Sequence, residues 1–216
     1  MNDESDIEFR LALESALTDL GLKALTDAQA RLLVKHFAML RQWNRRINLT
    51  RIIEPAMAAT LHYGESLFGA RFIGGASAIL DIGAGAGFPS VPITVLKPGL
   101  HVTALEANQK KALFLTEVKD ALGLANFDVA RTRLEEFDWS TYDLLTSRAL
   151  DRAESVFPPV IRSLSANQRL MLYCAPDLAA SLSRNLKQDY RVETHTVPHT
   201  ESRLIALFSR ERSSGY

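Results

Sequence analysis

Cysteine is nearly absent: Cys174 is the only one in 216 residues. That excludes an internal disulfide framework and any cysteine-rich zinc site, and a reducing cytoplasm is the expected location. No apolar run approaches the ~20 residues that a membrane-spanning helix needs. The first residues, Met1-Asn-Asp-Glu-Ser-Asp6, are acidic and lack a signal-peptide pattern. Net charge is lacking too: 25 Lys and Arg balance 25 Asp and Glu, which argues against a generic nucleic-acid binder. Internal repeats and low-complexity tracts are missing. What remains, with 47% hydrophobic residues, reads as one globular domain or one domain with an appendage.

The balanced charge hides an asymmetry. Residues 1–27 carry seven acids against Arg10 and Lys23. From Ala28 to Ile53 there is no acid, and six bases stand there: Arg31, Lys35, Arg41, Arg45, Arg46 and Arg51. Of the 25 basic residues 18 are Arg, whose planar fork suits phosphate better than the point charge of Lys. A local basic face is compatible with this pattern, and so is a solvated helix face.

The chain is organised around Ile79-Leu-Asp-Ile-Gly-Ala-Gly-Ala-Gly-Phe-Pro89. Ile79 to Ile82 reads as a buried strand, since it is apolar apart from one acid and shows no helical period. Gly83, Gly85 and Gly87 permit a tight turn and close approach of a ligand. Pro89 and the apolar residues after it read as the first turn of a helix. Strand, glycine turn and helix build a nucleotide site at the carboxyl end of a parallel sheet. A dinucleotide fingerprint would put its third glycine where Phe88 stands. The pattern here, D-x-G-x-G-x-G, resembles instead the first motif of class I S-adenosylmethionine methyltransferases. Glu106, ending the apolar run His101 to Leu105, is the acid that either cofactor class needs for ribose hydroxyls.

Before this stretch the periodicity is helical. Phe9, Leu13, Leu17 and Leu20 mark a first helix stopped by Gly21. Thr26-Asp-Ala-Gln29 is a capping box, and Leu33, Phe37, Leu40 and Asn44 share a stripe on the helix it starts. A third helix runs from Pro55 to about Phe68, and Phe72-Ile-Gly-Gly-Ala76 closes a helical section, residues 1–75, ahead of a cofactor domain, residues 76–216. In the latter, strands and helices alternate, as in a parallel sheet covered on both faces. Asn108 caps a helix with Leu113, Phe114, Val118 and Leu122 inward. Phe127 to Ala130, Asp143 to Thr146 and Arg169 to Ala175 are strands. A helix from about Asp151 is interrupted or ended at Pro158-Pro159, and another spans Asp177 to Leu186. Val192 to Val197 and Leu204 to Phe208 leave no room for a helix between them, so they pair antiparallel. The expected fold is α/β, a Rossmann-like seven-stranded sheet, mostly parallel with an antiparallel last strand.

Six blocks, in order, sharpen the likeness. Trp43-Asn-Arg-Arg-Ile-Asn-Leu-Thr50 resembles the W-N-x-x-x-N-L-T signature of the RsmG (GidB) family, the 16S ribosomal RNA guanine-N7 methyltransferases. His62-Tyr-Gly-Glu-Ser66 stands where that family has H-x-x-D-S. Gly85-Ala-Gly-Phe-Pro89 with Pro92 matches its G-x-G-F-P-x-x-P. Glu106-Ala-Asn-Gln-Lys-Lys111 with Phe114-Leu115 matches E-x-x-x-K-K…F-L. Arg133-Leu-Glu-Glu136 and Thr146-Ser-Arg-Ala149 match the last two. The resemblance implies methyl transfer from S-adenosylmethionine to N7 of one guanine in 16S rRNA. It implies cofactor binding by Gly83, Gly85, Phe88, Leu134, Glu135 and Arg148, with Glu106 on the ribose. It places Asn48, His62, Glu65, Arg133 and Arg148 at the reaction, and calls for no metal. The implied partner is 16S rRNA, including within a small-subunit assembly intermediate, bound by a monomer with no membrane contact.

The sequence departs from the family at several places. Glu65 replaces Asp, Ser90 replaces Gly, and Leu172-Tyr-Cys-Ala-Pro176 replaces a strand ending in K-G. The late E-R-x-L motif reads Glu201-Ser-Arg-Leu204, and on a strand that one-residue shift turns Arg203 to the other face.

Guanine N7 carries a free lone pair, so its methylation needs alignment more than a base. Methylating C5 of a pyrimidine needs an activated cysteine, and Cys174 in its apolar run reads as a core residue. The N/D-P-P-Y/F loop of exocyclic-amine methylation is missing after the fourth strand, and Phe157-Pro-Pro159 comes too late. Read individually, His62 is equally a satisfied buried side chain, Asn48 a turn cap, Trp43 a core or base-stacking ring, and Glu65 a partner of a nearby arginine. Two rival functions stand beside the methyltransferase: a non-catalytic RNA or ribosome binder retaining the fold, and a nicotinamide-dependent oxidoreductase.

Overall fold

Short apolar runs separated by amphipathic ones impose the layering seen in the computed structural model, which describes residues 4–148, 152–184, 186–198, 200 and 202–211. The helical section holds α1 (Glu4–Asp19), α2 (Asp27–Asn44) and α3 (Pro55–Ala58). From α3 the chain continues through a π-helical segment, Ala59–Gly64, into α4 (Glu65–Gly69). Thr26 caps α2 as its residue type requires: its hydroxyl accepts from the Gln29 N–H while Gln29 Oε1 accepts from the Thr26 N–H at 2.9 Å.

Next come β1 (Ala78–Ile82), α5 (Ser90–Leu96), β2 (His101–Leu105), α6 (Gln109–Leu122) and β3 (Phe127–Ala130). The chain then forms β4 (Leu144–Arg148), α7 (Ala153–Ser163), β5 (Arg169–Cys174) and α8 (Pro176–Ser183), and closes with β6 (Tyr190–Thr196) and β7 (Leu204–Arg210). The seven strands lie in the order β3-β2-β1-β4-β5-β7-β6. The first five are parallel, and β7 inserts antiparallel between β5 and β6. This is the expected class I methyltransferase sheet. Strand order reverses between β1 and β4, so a crevice opens outside their carboxyl ends, where an open α/β sheet places its ligand.

Alternation along the strands divides the core. Ile79 and Met171 face the helical section, α5 and α6, in one cluster with Phe9, Phe37, Tyr63 and Phe114. Leu80, Ile82, Leu145 and Leu170 face α7 and α8 with Phe157, Ile161 and Leu182.

Four local expectations are corrected. On α6 the inward leucine is Leu115, fully buried, whereas Leu113 is 51% exposed. Positions 114, 115, 118 and 122 share the buried stripe, and 113 lies past its edge. Helix α7 runs through Pro158 and Pro159 instead of stopping. Two intrahelical N–H donors are lost there, but the buried Phe157, Val160 and Ile161 anchor the helix on both sides of the gap. The proposed start at Asp151 lies outside the described residues. Strand β4 extends to Arg148, paired with Tyr173, so Arg148 ends the strand rather than following it. Helix α8 stops at Ser183, short of Leu186.

Candidate active site

The glycine turn leaves β1 with Gly83, Gly85 and Gly87 all at positive φ, +72°, +55° and +86°. Its N–H groups at Gly83 and Ala84 both reach the Leu105 carbonyl of β2, at 2.8 and 3.1 Å. Glu106, directly after β2, clamps the turn from the other side: Oε2 accepts from the Gly85 N–H at 2.9 Å and Oε1 from the Asn108 N–H at 2.8 Å. A Cβ placed on Gly85 would meet nothing nearer than the Gly83 carbonyl oxygen at 3.7 Å, so this side of the turn is open. Gly87 is the opposite case, since a Cβ there would lie 2.6 Å from Val91 Cγ2.

A cleft of ≈ 290 Å³ opens beside the turn, lined by Gly83, Glu106, Lys111, Arg133, Leu134 and Glu135 among others. Leu134 and Glu135 reach it from a 3-10 turn, Leu134–Glu136, that follows β3. Arg133 is exposed at the rim. Of the expected cofactor residues, Gly83, Gly85, Glu106, Leu134 and Glu135 therefore gather at this turn and cleft.

The others form a second group under it. Phe88 is buried and stacks on His62, ring centroids 4.6 Å apart and 24° between planes. Arg148 lies across the Phe88 ring, 5.9 Å from its centroid, and donates to the carbonyls of Leu61 (2.5 Å) and His62 (3.4 Å) on the π-helical segment. Its guanidinium is 3.3 Å from Glu65, and both side chains are nearly inaccessible. A π-helical stretch at such a place is a recurrent mark of functional sites, because it re-aims side chains within one helix.

Electrostatics in this group follow from burial. The His62 imidazole is pushed down to about 3, first by burial and then by the cations of Arg148 and Arg203, so it is neutral. Its Nε2 is 2.8 Å from the Thr50 hydroxyl. Burial raises Glu65, opposed by Arg148 and Arg203. Asp81, at the end of β1, is raised to about 7 by burial, although it accepts from the Ser90 N–H at 3.2 Å. Buried atoms lacking an aligned hydrogen bond concentrate here: His62 Nδ1, Glu65 Oε1, Asp81 Oδ1, Ser90 Oγ and Arg148 Nε. Buried polar groups are normally satisfied, so such a concentration is what a ligand or an ordered water would complete.

Asn48 does not join the group; it is exposed on the loop after α2. The cap of that turn is Asn44, whose Oδ1 accepts from the Leu49 and Thr50 N–H groups at 2.9 and 3.0 Å. Arg203, expected to face away, instead points into the site and pairs with Glu65. It precedes β7, where the two-residue alternation of a strand does not apply. Ala149 of the last matched block and Glu201 of the displaced motif lie outside the described residues. Cys174 ends β5 half-buried, with its thiol raised to about 11 by burial. Sequence reasoning missed Asp81, Thr50 and Arg203 as members of the site. Thr50 had a signal, closing the block that begins at Trp43; Arg203 had one only through the displaced motif.

The sequence model of the GidB family, described as rRNA small subunit methyltransferase G, matches residues 29–203. A ribosomal RNA small subunit methyltransferase G from Solibacter usitatus is 35% identical over 175 residues, covering 78% of this chain and 81% of that one. Its counterpart from Lactococcus lactis subsp. cremoris is 31% identical over 216 residues, covering 93% and 90%. Among solved structures, a mutant of MtNAS in complex with S-adenosylmethionine superposes with TM-score 0.53 at 15% identity over 94% of this chain and 88% of that one. The ribosomal protein L11 methylase from Lactobacillus delbrueckii subsp. bulgaricus gives TM-score 0.55 at 14% identity, over 71% and 80%. At these identities the structures speak for the fold. With the family matched over most of its length, the chain belongs to the GidB family of rRNA small subunit methyltransferases.

Proposed function

We propose that the protein methylates N7 of one guanine in 16S rRNA, with S-adenosylmethionine as donor. The observation that carries this reading is the chemistry of the group beneath the cleft. The His62 imidazole is held neutral beside Thr50, and the single thiol, Cys174 at the end of β5, is raised to about 11. Neither is an activated nucleophile or a poised base, and Asp81, although raised to about 7, is fully buried behind the turn with one oxygen taken by the Ser90 N–H. Guanine N7 requires neither, because its lone pair is free at neutral pH.

The residues present suit the donor. The open side of Gly85 admits close approach, and Glu106 keeps a lone pair on each oxygen for ribose hydroxyls after serving Gly85 and Asn108. Gly83, Leu134 and Glu135 would flank the nucleoside in the cleft, and Phe88 with Arg148 would border its far end. When bound, S-adenosylmethionine would supply a methyl group on a sulfonium, whose sulfur departs as a neutral thioether without help from an acid. The protein's own task is then placement. Arg148, with Glu65 and His62, would orient the base by charge-assisted hydrogen bonds, while Arg133 at the rim and Asn48 on its loop would meet the RNA. Residues 1–75 would present Arg45, Arg46 and Arg51, all exposed, to phosphate. The reading takes the protein to be a cytoplasmic monomer that acts on the small subunit or an assembly intermediate.

Mapping modified guanines in 16S rRNA from cells with and without the protein tests the proposal. One N7-methylguanine should vanish and return on complementation. An unchanged map, with no transfer by purified protein to mature or immature small subunits, would leave the non-catalytic binder as the better reading.

A further inference from the structure

The glycine turn has a second support that the proposed chemistry does not use. His36, on α2, is fully buried, and its Nε2 lies 3.1 Å from the Ala86 carbonyl in the middle of the turn. A carbonyl only accepts, so Nε2 carries the proton and donates. Nδ1 of the same ring is therefore an acceptor, and the buried Tyr63 hydroxyl donates to it at 2.8 Å. Burial lowers the His36 imidazole to about 3, which keeps it neutral.

The peptide held this way is restrained at both ends. Its oxygen, on Ala86, meets His36, and its N–H, on Gly87, donates to the Ala84 carbonyl at 2.7 Å. Gly87 packs close against the ring as well, since a Cβ there would come within 3.4 Å of His36 Nε2. Phe88, the next residue, has His36 and Tyr63 edge-on at 5.4 and 5.0 Å. Tyr63 in turn neighbours His62 on the π-helical segment. The His36 and Tyr63 side chains are both fully buried, so bulk solvent cannot take the place of a lost member of this polar chain.

We propose that His36 is a positioning residue for the cofactor: oriented by the Tyr63 hydroxyl, its Nε2–H fixes the Ala86 carbonyl and so holds the Gly83–Gly87 turn in its binding shape. The inference rests on the reading of that turn as the S-adenosylmethionine site. Neither side chain touches the cofactor; both act through the backbone.

Three variants test it, with affinity for S-adenosylhomocysteine, KM for S-adenosylmethionine, kcat on the small subunit and Tm measured for each. Tyr63→Phe removes one oxygen and frees the ring to take the other tautomer. It should weaken S-adenosylhomocysteine and raise KM about three- to tenfold, with kcat at saturating donor changing less. His36→Leu should weaken binding further. His36→Gln, whose amide can donate to Ala86, should recover most of the loss. If Tyr63→Phe lowers Tm but binds S-adenosylhomocysteine as wild type does, the chain is structural only and the proposal falls. It falls equally if His36→Gln binds no better than His36→Leu. Should His36→Leu fail to fold, Tyr63→Phe and His36→Gln decide between them. Wild-type protein that binds no S-adenosylhomocysteine would overturn the assignment of the turn itself, a result distinct from either.

Discussion

Arg203 and Glu65, 138 positions apart in the chain, meet with guanidinium Nε 3.2 Å from Oε1 and Nη1 3.4 Å from Oε2. The Arg203 side chain is 37% exposed, whereas Arg148, on the other side of the same carboxylate, is 5% exposed. The two arginines therefore have different weights. Arg148→Ala leaves a buried carboxylate with only a half-exposed partner and removes the donor to two carbonyls, so it should destabilise by about 3–5 kcal/mol. Arg203→Ala should cost no more than about 1 kcal/mol, because its ion pair is screened. Both should slow single-turnover methyl transfer, Arg148→Ala by more than about tenfold and Arg203→Ala by less. Denaturant titration alongside the assay separates the effects. Equal stability losses would show that Arg203 is as deeply engaged as Arg148.

Asp81 gives the site a pH signature. Burial raises its carboxyl from 3.8 to about 7, with the Ser90 contact opposing and Glu106 adding to the rise. The folded chain thus holds a proton that the unfolded chain has released. Stability from this group is fully present below about pH 4 and is lost as pH rises through about 7, by up to about 4 kcal/mol. Asp81→Asn cannot ionise, so the variant should gain on the wild type as pH goes from 4 to 8. The difference between their Tm values, measured across that range, reads Asp81 alone. A flat difference would mean that Asp81 ionises as freely in the fold as in solution.

Gly85 and Gly87 should fail in opposite ways. Both have positive φ, so alanine costs about 1–2 kcal/mol of backbone strain at either. At Gly85 the added methyl enters open space on the ligand side, and S-adenosylhomocysteine affinity should drop at least about tenfold while the fold holds; Gly85→Val should abolish it. At Gly87 the methyl would strike Val91 and crowd Leu115, which adds about 1–3 kcal/mol of overpacking. Calorimetry and thermal melts should rank the variants in opposite orders. Unchanged affinity in Gly85→Val would remove the cofactor from this turn.

What was legible in the sequence is what local chemistry decides. Thr26 and Gln29 specify a cap by residue type, and three spaced glycines after a buried strand specify the turn. The matched blocks located His62, Glu65, Phe88 and Arg148, which the structure brings together. The illegible part depends on tertiary partners. Whether position 113 or 115 faces inward is decided by where β3 and α2 lie, not by apolarity, which the two leucines share. Pro158 and Pro159 end a helix by propensity, but the buried face of α7 outweighs the missing hydrogen bonds. Asn44 and Asn48 are the same residue type four apart, and only the turn geometry selects Asn44 as the cap. Arg203 was misplaced because strand alternation was applied to a residue that stands just ahead of the strand, whose start at Leu204 is as expected.

The acid-free stretch before the cleft makes the RNA interaction measurable. Arg45 and Arg46 follow α2 and are exposed on the loop that also carries Asn48, and Arg51 is exposed a few residues on. Each cation that neutralises a phosphate releases counterions, so it contributes to the slope of log affinity against log salt. Arg45→Ala with Arg46→Ala should flatten that slope by about 0.7–0.9 for each phosphate that is no longer neutralised. Neither residue lines the cleft, so affinity for S-adenosylhomocysteine should stay as it is. Filter binding to small-subunit RNA over a salt series gives the slope, and calorimetry gives the cofactor arm. A fall in RNA affinity with an unchanged slope would mean that the arginines act through the shape of the loop rather than through phosphate. No change in either would reduce the stretch to a solvated face, and the RNA would have to enter from the Arg133 side of the cleft.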